Sequence, residues 1–141
     1  MRPPPEDLIR ALAPELFAER RTLLTIENIE RTLTAHSFLW TNEDELQNGI
    51  GIALHNEGIP FEREVRLNAR DRIDFMTEDG VGIEVKIAGT LPELTRQTHP
   101  YLGLDQLSGL VVAVTQSRLT RFPPMMCGKP LRVVRIRGSL S

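Results

Sequence analysis

The chain has 141 residues, 40% hydrophobic and 26% charged, with a formal net charge of −2. These values describe one globular domain with a real core; no apolar run is long enough to cross a membrane, and the net charge argues against a protein that coats nucleic acid through bulk positive charge. A single cysteine, Cys127, excludes an intrachain disulfide and a cysteine-only zinc site; together with the apolar-poor start Met1–Asp7 it sets a cytoplasmic location as the expectation.

Charge is unevenly spread. No acidic residue follows Asp105, whereas Arg118, Arg121, Lys129, Arg132, Arg135 and Arg137 do. A second basic group, Arg63, Arg66, Arg70 and Arg72, is diluted by Glu62, Glu64 and Asp71, and the first forty residues are acidic on balance. Such surpluses fit phosphate tracking and equally fit ordinary exposed strand charges.

In chain order, Glu6 to Leu39 reads as helix interrupted near Pro14. Its apolar stripes are Leu8, Ile9, Leu12, Leu16 and Phe17, then Leu23, Leu24, Ile26, Ile29, Leu33, Phe38 and Leu39. Trp40 anchors this segment to the rest. Thr41 is the expected N-cap of a helix running to about Asn56, with Leu46, Ile50, Ala53 and Leu54 as its core face and Gly58 as its stop. Ile59 to Leu67 is a strand by alternation of Phe61, Val65 and Leu67 with charges.

A hairpin follows. Arg72–Phe75 and Val81–Ile87 flank Glu78-Asp79-Gly80, a turn in which glycine accepts positive φ. Val81, Ile83, Val85 and Ile87 point one way, while Gly82, Glu84 and Lys86 point the other. An antiparallel pairing brings Asp74 near Glu84. Two carboxylates at one spot repel unless something positive lies between them, and hard divalent cations prefer oxygen ligands. Taken alone, the same spacing also describes a solvated strand face with a Glu/Lys pair.

Thr90-Leu91-Pro92-Glu93 is a capping box that starts a helix carrying Gln97 and His99. Leu107–Thr115 is an apolar run suited to a strand covered on both faces. Gln116–Cys127 reads as short helix or loop, and Leu131–Arg137 as a closing strand, expected at an edge because of its arginines.

Asp74, Glu84 and Lys86, with Ile73 before the aspartate, resemble the motif of the PD-(D/E)XK, or restriction-endonuclease-like, nuclease superfamily, and the element order resembles that of its compact, resolvase-like members. The resemblance implies a three-layer α/β sandwich around a central mixed β-sheet, with residues 41–141 as the nuclease-like core and 1–40 as a helical appendage. It implies Mg²⁺, with Mn²⁺ as substitute, held by Asp74, Glu84 and the Val85 carbonyl, with Glu45 completing the shell. Lys86 would position water or stabilise the transition state. Gln97, in a Gln-x-x-x-Tyr pattern with Tyr101, would orient water or phosphate. Pro100 is expected to disturb or end the helix before Tyr101, in which case the ring simply packs.

The activity so implied is endo- or exonucleolytic hydrolysis of DNA phosphodiester bonds in duplexes, branched forms or ends. Arg63, Arg72, His99, Tyr101 and Lys129 are the expected nucleic-acid contacts. A homodimer is among the expected assemblies; no membrane partner and no small-molecule cofactor are expected. The alternative readings are a catalytically silent nuclease-fold module that binds nucleic acid, and one that binds a protein partner in a larger complex, docking through the acidic N-terminal helices.

Overall fold

A computed structural model describes residues 5–139. Helix α1 (Glu6–Leu12) meets α2 (Pro14–Ala35) at Ala13, which closes one helix and opens the next. Its N–H donates to Ile9 O (2.8 Å) and its carbonyl accepts from Phe17 N (3.0 Å). Pro14 follows at the first helical position, where a missing N–H costs nothing. The first apolar stripe finds no core: α1 buries no residue, and Leu8, Leu12 and Leu16 stay exposed. The second is split. Ile26, Ile29, Leu33 and Phe38 are buried, whereas Leu23, Leu24 and Leu39 are not. Nor does the helix reach Leu39. It stops at Ala35 because Phe38 is drawn into a parallel bridge with Gly138, accepting from Ser139 N (2.8 Å) and donating to Arg137 O (3.0 Å).

Helix α3 (Glu43–Asn56) is capped by Asn42, whose side chain accepts from Glu45 N at 2.9 Å, one residue later than the Thr41 cap expected. It buries Leu46, Ile50, Ala53 and Leu54 as its spacing requires. Strands β1 (Phe61–Arg66), β2 (Arg72–Thr77) and β3 (Val81–Lys86) form an antiparallel meander. The β2–β3 turn holds Gly80 at φ +84°, where an added Cβ would also strike Gln106 O at 2.6 Å. Helix α4 (Leu91–Leu102) begins with the Thr90/Glu93 capping box and leads to β4 (Gly109–Val114), every residue of which is buried. A short 3₁₀ turn at Ser117–Leu119, a two-residue strand β5 (Met125–Met126) and β6 (Lys129–Arg135) complete the chain.

The six strands form one mixed sheet in the order β1-β2-β3-β4-β6-β5, with β3, β4 and β6 parallel. Helices cover both faces. Ile26, Ile29, Leu33, Leu46, Ile50 and Leu54 from α2 and α3 pack on Val81, Ile83, Val85, Val111 and Ala113. On the other face, Leu94, Tyr101 and Leu102 from α4 pack on Leu110, Val112 and Val114. The second half of α2 thus shares a core with the sheet, while α1 stands clear of it. β6 lies at the edge of the sheet from Leu131 onward, as its arginines led one to expect; the two-residue β5 covers only Lys129 and Pro130. No helix among the described residues is long and apolar enough to cross a membrane.

One irregularity shapes the rest. Ile73 and Phe75 lie two residues apart on β2, yet Phe75 packs on the α2–α3 side and Ile73 on the α4 side. The β1–β2 ribbon turns over between them, at Asp74, and Glu64 in the facing register position takes φ +52°, outside the strand region. After the turn, Ile73 lies across β3. A Cβ at Gly82 would stand 2.2 Å from Ile73 Cδ1, so any larger residue there must displace Ile73.

Candidate active site

Pairing between β2 and β3 ends at Phe75↔Ile83. The next pair in register, Asp74 and Glu84, falls where the strands separate. The Lys86 carbonyl accepts from Thr115 N on the β4 side (3.3 Å), so by alternation Val85 turns its N–H and C=O toward β2. Asp74 Oδ2 takes that N–H at 2.7 Å, a side-chain bond in place of a backbone rung.

Glu84 shares the gap. Its side chain is 3% exposed and lies within hydrogen-bonding reach of the Asp74 carboxyl. Burial first, and then Asp74, hold the Glu84 carboxyl well above the usual carboxylate range; Tyr101 and Lys86 pull the other way without offsetting this. Such a pair is stable only with a proton or a cation between its members. Lys86, two residues on, is half-buried and makes no ion pair among the described residues.

From α4, Gln97 Nε2 donates to Glu84 Oε2 and to the Tyr101 hydroxyl, each at 3.4 Å. The hydroxyl in turn donates to Arg72 O at 3.3 Å. The helix does not end before Tyr101. Pro100 sits on the exposed side of the last turn, and α4 continues to Leu102. Tyr101 is consequently buried at 3% exposure and cannot serve as the nucleic-acid contact expected of it. Its phenol is pushed up in pKa by burial and then by Glu84.

Glu45 is not part of this cluster. It is exposed, and Thr41 donates to its carboxylate at the surface. The α3 residue that faces the cluster is Glu43. Its carboxyl is raised above the ordinary value chiefly by burial and by Asp74, against the attraction of Lys86 and the Ile87 backbone. The signal was present in the sequence: Glu43 lies three and seven residues before Leu46 and Ile50, on the core stripe of α3, and Glu45 lies off it.

The remaining expected contacts are mostly committed elsewhere. Arg63 donates to Asn48 Oδ1 (2.7 Å) and Gln47 Oε1 (3.3 Å) and stacks 5.3 Å from the Phe75 ring centroid, tying β1 to α3. Lys129 Nζ donates to Leu104 O at 2.6 Å. His99 is exposed and turned to Cys127, with Nε2 3.7 Å from Sγ. Only Arg72 keeps an exposed side chain beside the site.

Comparisons with family models, with curated proteins and with solved structures gave no match to this chain. The site is therefore read from its own chemistry. Among the described residues, no three His, Cys, Asp or Glu side chains converge closely enough to hold a metal by themselves. Asp74 and Glu84 supply two carboxylates and Val85 presents a carbonyl to the same gap. That donor set is all oxygen and is sufficient for Mg²⁺, which ordinarily keeps several waters and takes one or two carboxylates.

Proposed function

We propose that this protein is a Mg²⁺-dependent nuclease of the restriction-endonuclease-like type that hydrolyses DNA phosphodiester bonds. The observation that carries the reading is the buried Glu84 carboxylate set against Asp74 where β2 and β3 part, with Lys86 beside it. A buried, like-charged pair is costly to fold, and a cation binding there turns the cost into affinity.

Asp74, Glu84 and the Val85 carbonyl would hold Mg²⁺, with Mn²⁺ as substitute. When bound, the cation acidifies water and offsets charge on the phosphorus. The chain's own groups do the rest. The Lys86 ammonium stabilises negative charge on the attacked phosphate, and Glu43 steadies that ammonium from α3. Gln97 fixes the Glu84 carboxylate, and Tyr101 fixes Gln97. Asp74 orients the Val85 peptide.

A second reading is favoured by the two-carboxylate donor set: a module that keeps this frame and binds nucleic acid or protein without turnover. Purified wild type, Glu84→Ala and Lys86→Ala, incubated with plasmid, linear duplex and a four-way junction in Mg²⁺, Mn²⁺ or EDTA, separate the two. Cation-dependent cutting confined to wild type is expected. Equal cutting by a folded Lys86→Ala variant would remove the nuclease reading, and silence on every substrate would favour the module.

A further inference from the structure

We infer that Arg66 and Arg72 form a phosphate clamp that binds a DNA backbone phosphate neighbouring the one at the Asp74–Glu84 site. The inference rests on the reading of that site as one that takes DNA.

Arg66 and Arg72 stand directly opposite each other in the β1–β2 register. Directly opposed side chains begin roughly 5 Å apart at Cβ, and like charges at that separation destabilise a hairpin. The usual remedy, a carboxylate beside the pair, is missing. Among the described residues the one ion pair joins Arg132 to Glu30, on another part of the surface. Arg66 donates to the Ala69 carbonyl at 3.3 Å, and the Arg72 side chain has no hydrogen bond. Both are exposed.

The nearest acid is withheld by the turn that joins the strands. Asn68 Oδ1 accepts the N–H groups of Arg70 and Asp71, each at 2.8 Å, and Asn68 Nδ2 donates to the Asp71 carboxylate at 2.9 Å. Leu67 N donates to Asp71 O at 2.8 Å and closes the loop. Asp71 is thus spent on holding the turn. Glu64, the next acid along β1, leaves the ladder at φ +52°. The turn therefore displays two mutually repelling guanidinium groups with no carboxylate in ion-pair contact with either among the described residues.

The position fixes what neutralises them. Arg72 precedes Asp74 by two residues, roughly 7 Å of strand. That step is comparable to the separation of successive phosphates along one DNA strand. A guanidinium pair recognises phosphate oxygens through paired, directional hydrogen bonds. Arg66 and Arg72 are positioning residues here: they set which phosphate lies over Asp74 and Glu84.

The test compares wild type, the double variant Arg66→Gln/Arg72→Gln, and Arg20→Gln/Arg21→Gln, which removes the same charge from exposed positions on α2. Binding of a short fluorescein-labelled duplex is followed by anisotropy in Ca²⁺ across a salt series, and cleavage kinetics are measured in Mg²⁺. The clamp variant should bind at least tenfold more weakly, with the slope of log K against log[salt] reduced by about 0.9, the value for one phosphate contact. KM should rise with kcat held within about threefold, and the melting temperature should be unchanged or higher because the repulsion is gone. Normal binding by the clamp variant, an equal loss in the α2 control, or a wild type that does not bind the duplex would each overturn the clamp. A selective loss of binding in a protein that never cleaves would uphold the clamp and overturn only the reading of hydrolysis.

Discussion

Asp74 Oδ2 lies 2.7 Å from the Val85 amide nitrogen, one register position past the last β2–β3 backbone pair. A carboxylate thus continues the ladder that the backbones have abandoned. Replacing Asp74 by alanine removes a charge-assisted bond and leaves a buried N–H without a partner, a loss of about 1.5–3 kcal/mol. Asp74→Asn keeps an acceptor and should retain most of the stability. Denaturant melts of both variants would show this, and equal losses would mean that the Val85 bond contributes little.

The raised carboxyl of Glu84 makes stability depend on pH in a defined direction. A folded-state pKa above the unfolded value means that the native state binds the proton more tightly. The contribution is full below the ordinary carboxyl range and is lost as pH rises above it. In EDTA the melting temperature should fall from pH 5 to pH 9. Glu84→Gln should flatten this dependence, and Mg²⁺ should raise the melting temperature of wild type but not of Glu84→Gln. A wild-type melting temperature that climbs over that range would contradict the paired-carboxyl geometry.

Glu43 and Glu45 give a paired comparison on one helix. Glu43→Gln should lower cleavage about 10- to 100-fold, the range for an outer group that supports a residue of the site, here Lys86, while Glu45→Gln should leave it within threefold. The opposite ranking would return the role to Glu45.

Tyr101→Phe removes only a hydroxyl. The Arg72 carbonyl and the Gln97 amide each lose a partner, and about 1 kcal/mol of stability should go with them. DNA affinity should stay at the wild-type value because the ring is buried. An affinity loss matching that of the arginine variants would place Tyr101 at the nucleic-acid surface after all.

Gly82→Ala tests the overturned ribbon. The new methyl meets Ile73 Cδ1 at 2.2 Å in a packed core, and overpacking of this kind costs about 1–3 kcal/mol. Gly82→Ala combined with Ile73→Val should recover part of the loss. Removal of residues 1–12, by contrast, should change stability by less than about 1 kcal/mol, because α1 buries nothing.

What was legible in the sequence was whatever a periodic pattern determines locally. The core face of α3, the Thr90/Glu93 box and the buried β4 run all came from spacing, and the convergence of Asp74 with Glu84 followed from turn chemistry. The failures have identifiable causes. The helix break expected at Pro100 is absent because a proline in the last turn does not carry the penalty of one in a helix interior. Glu43 is told from Glu45 only by its phase relative to Leu46, because a place in the first turn accounts for the charge of either. Gly82 was counted as one of the outward positions, whereas Ile73, from the neighbouring strand, closes over it. β5 has two residues, too few to show any period.

The open outer side of β6 gives the C-terminal arginines another meaning. Beyond Leu131, whose N–H donates to Pro124 O at 2.9 Å, β6 carries Val133 and Val134 with no strand on their outer side, a template on which a foreign strand could grow. Arg132 and Arg135 interrupt that run, and a neighbouring chain that tried to pair there would have to desolvate both. The basic surplus after Asp105 then acts as a gatekeeper against self-association as well as a source of positive potential. Arg135→Val should leave the fold and the distant carboxylates untouched while shortening the lag before aggregation on mild heating, which light scattering would register.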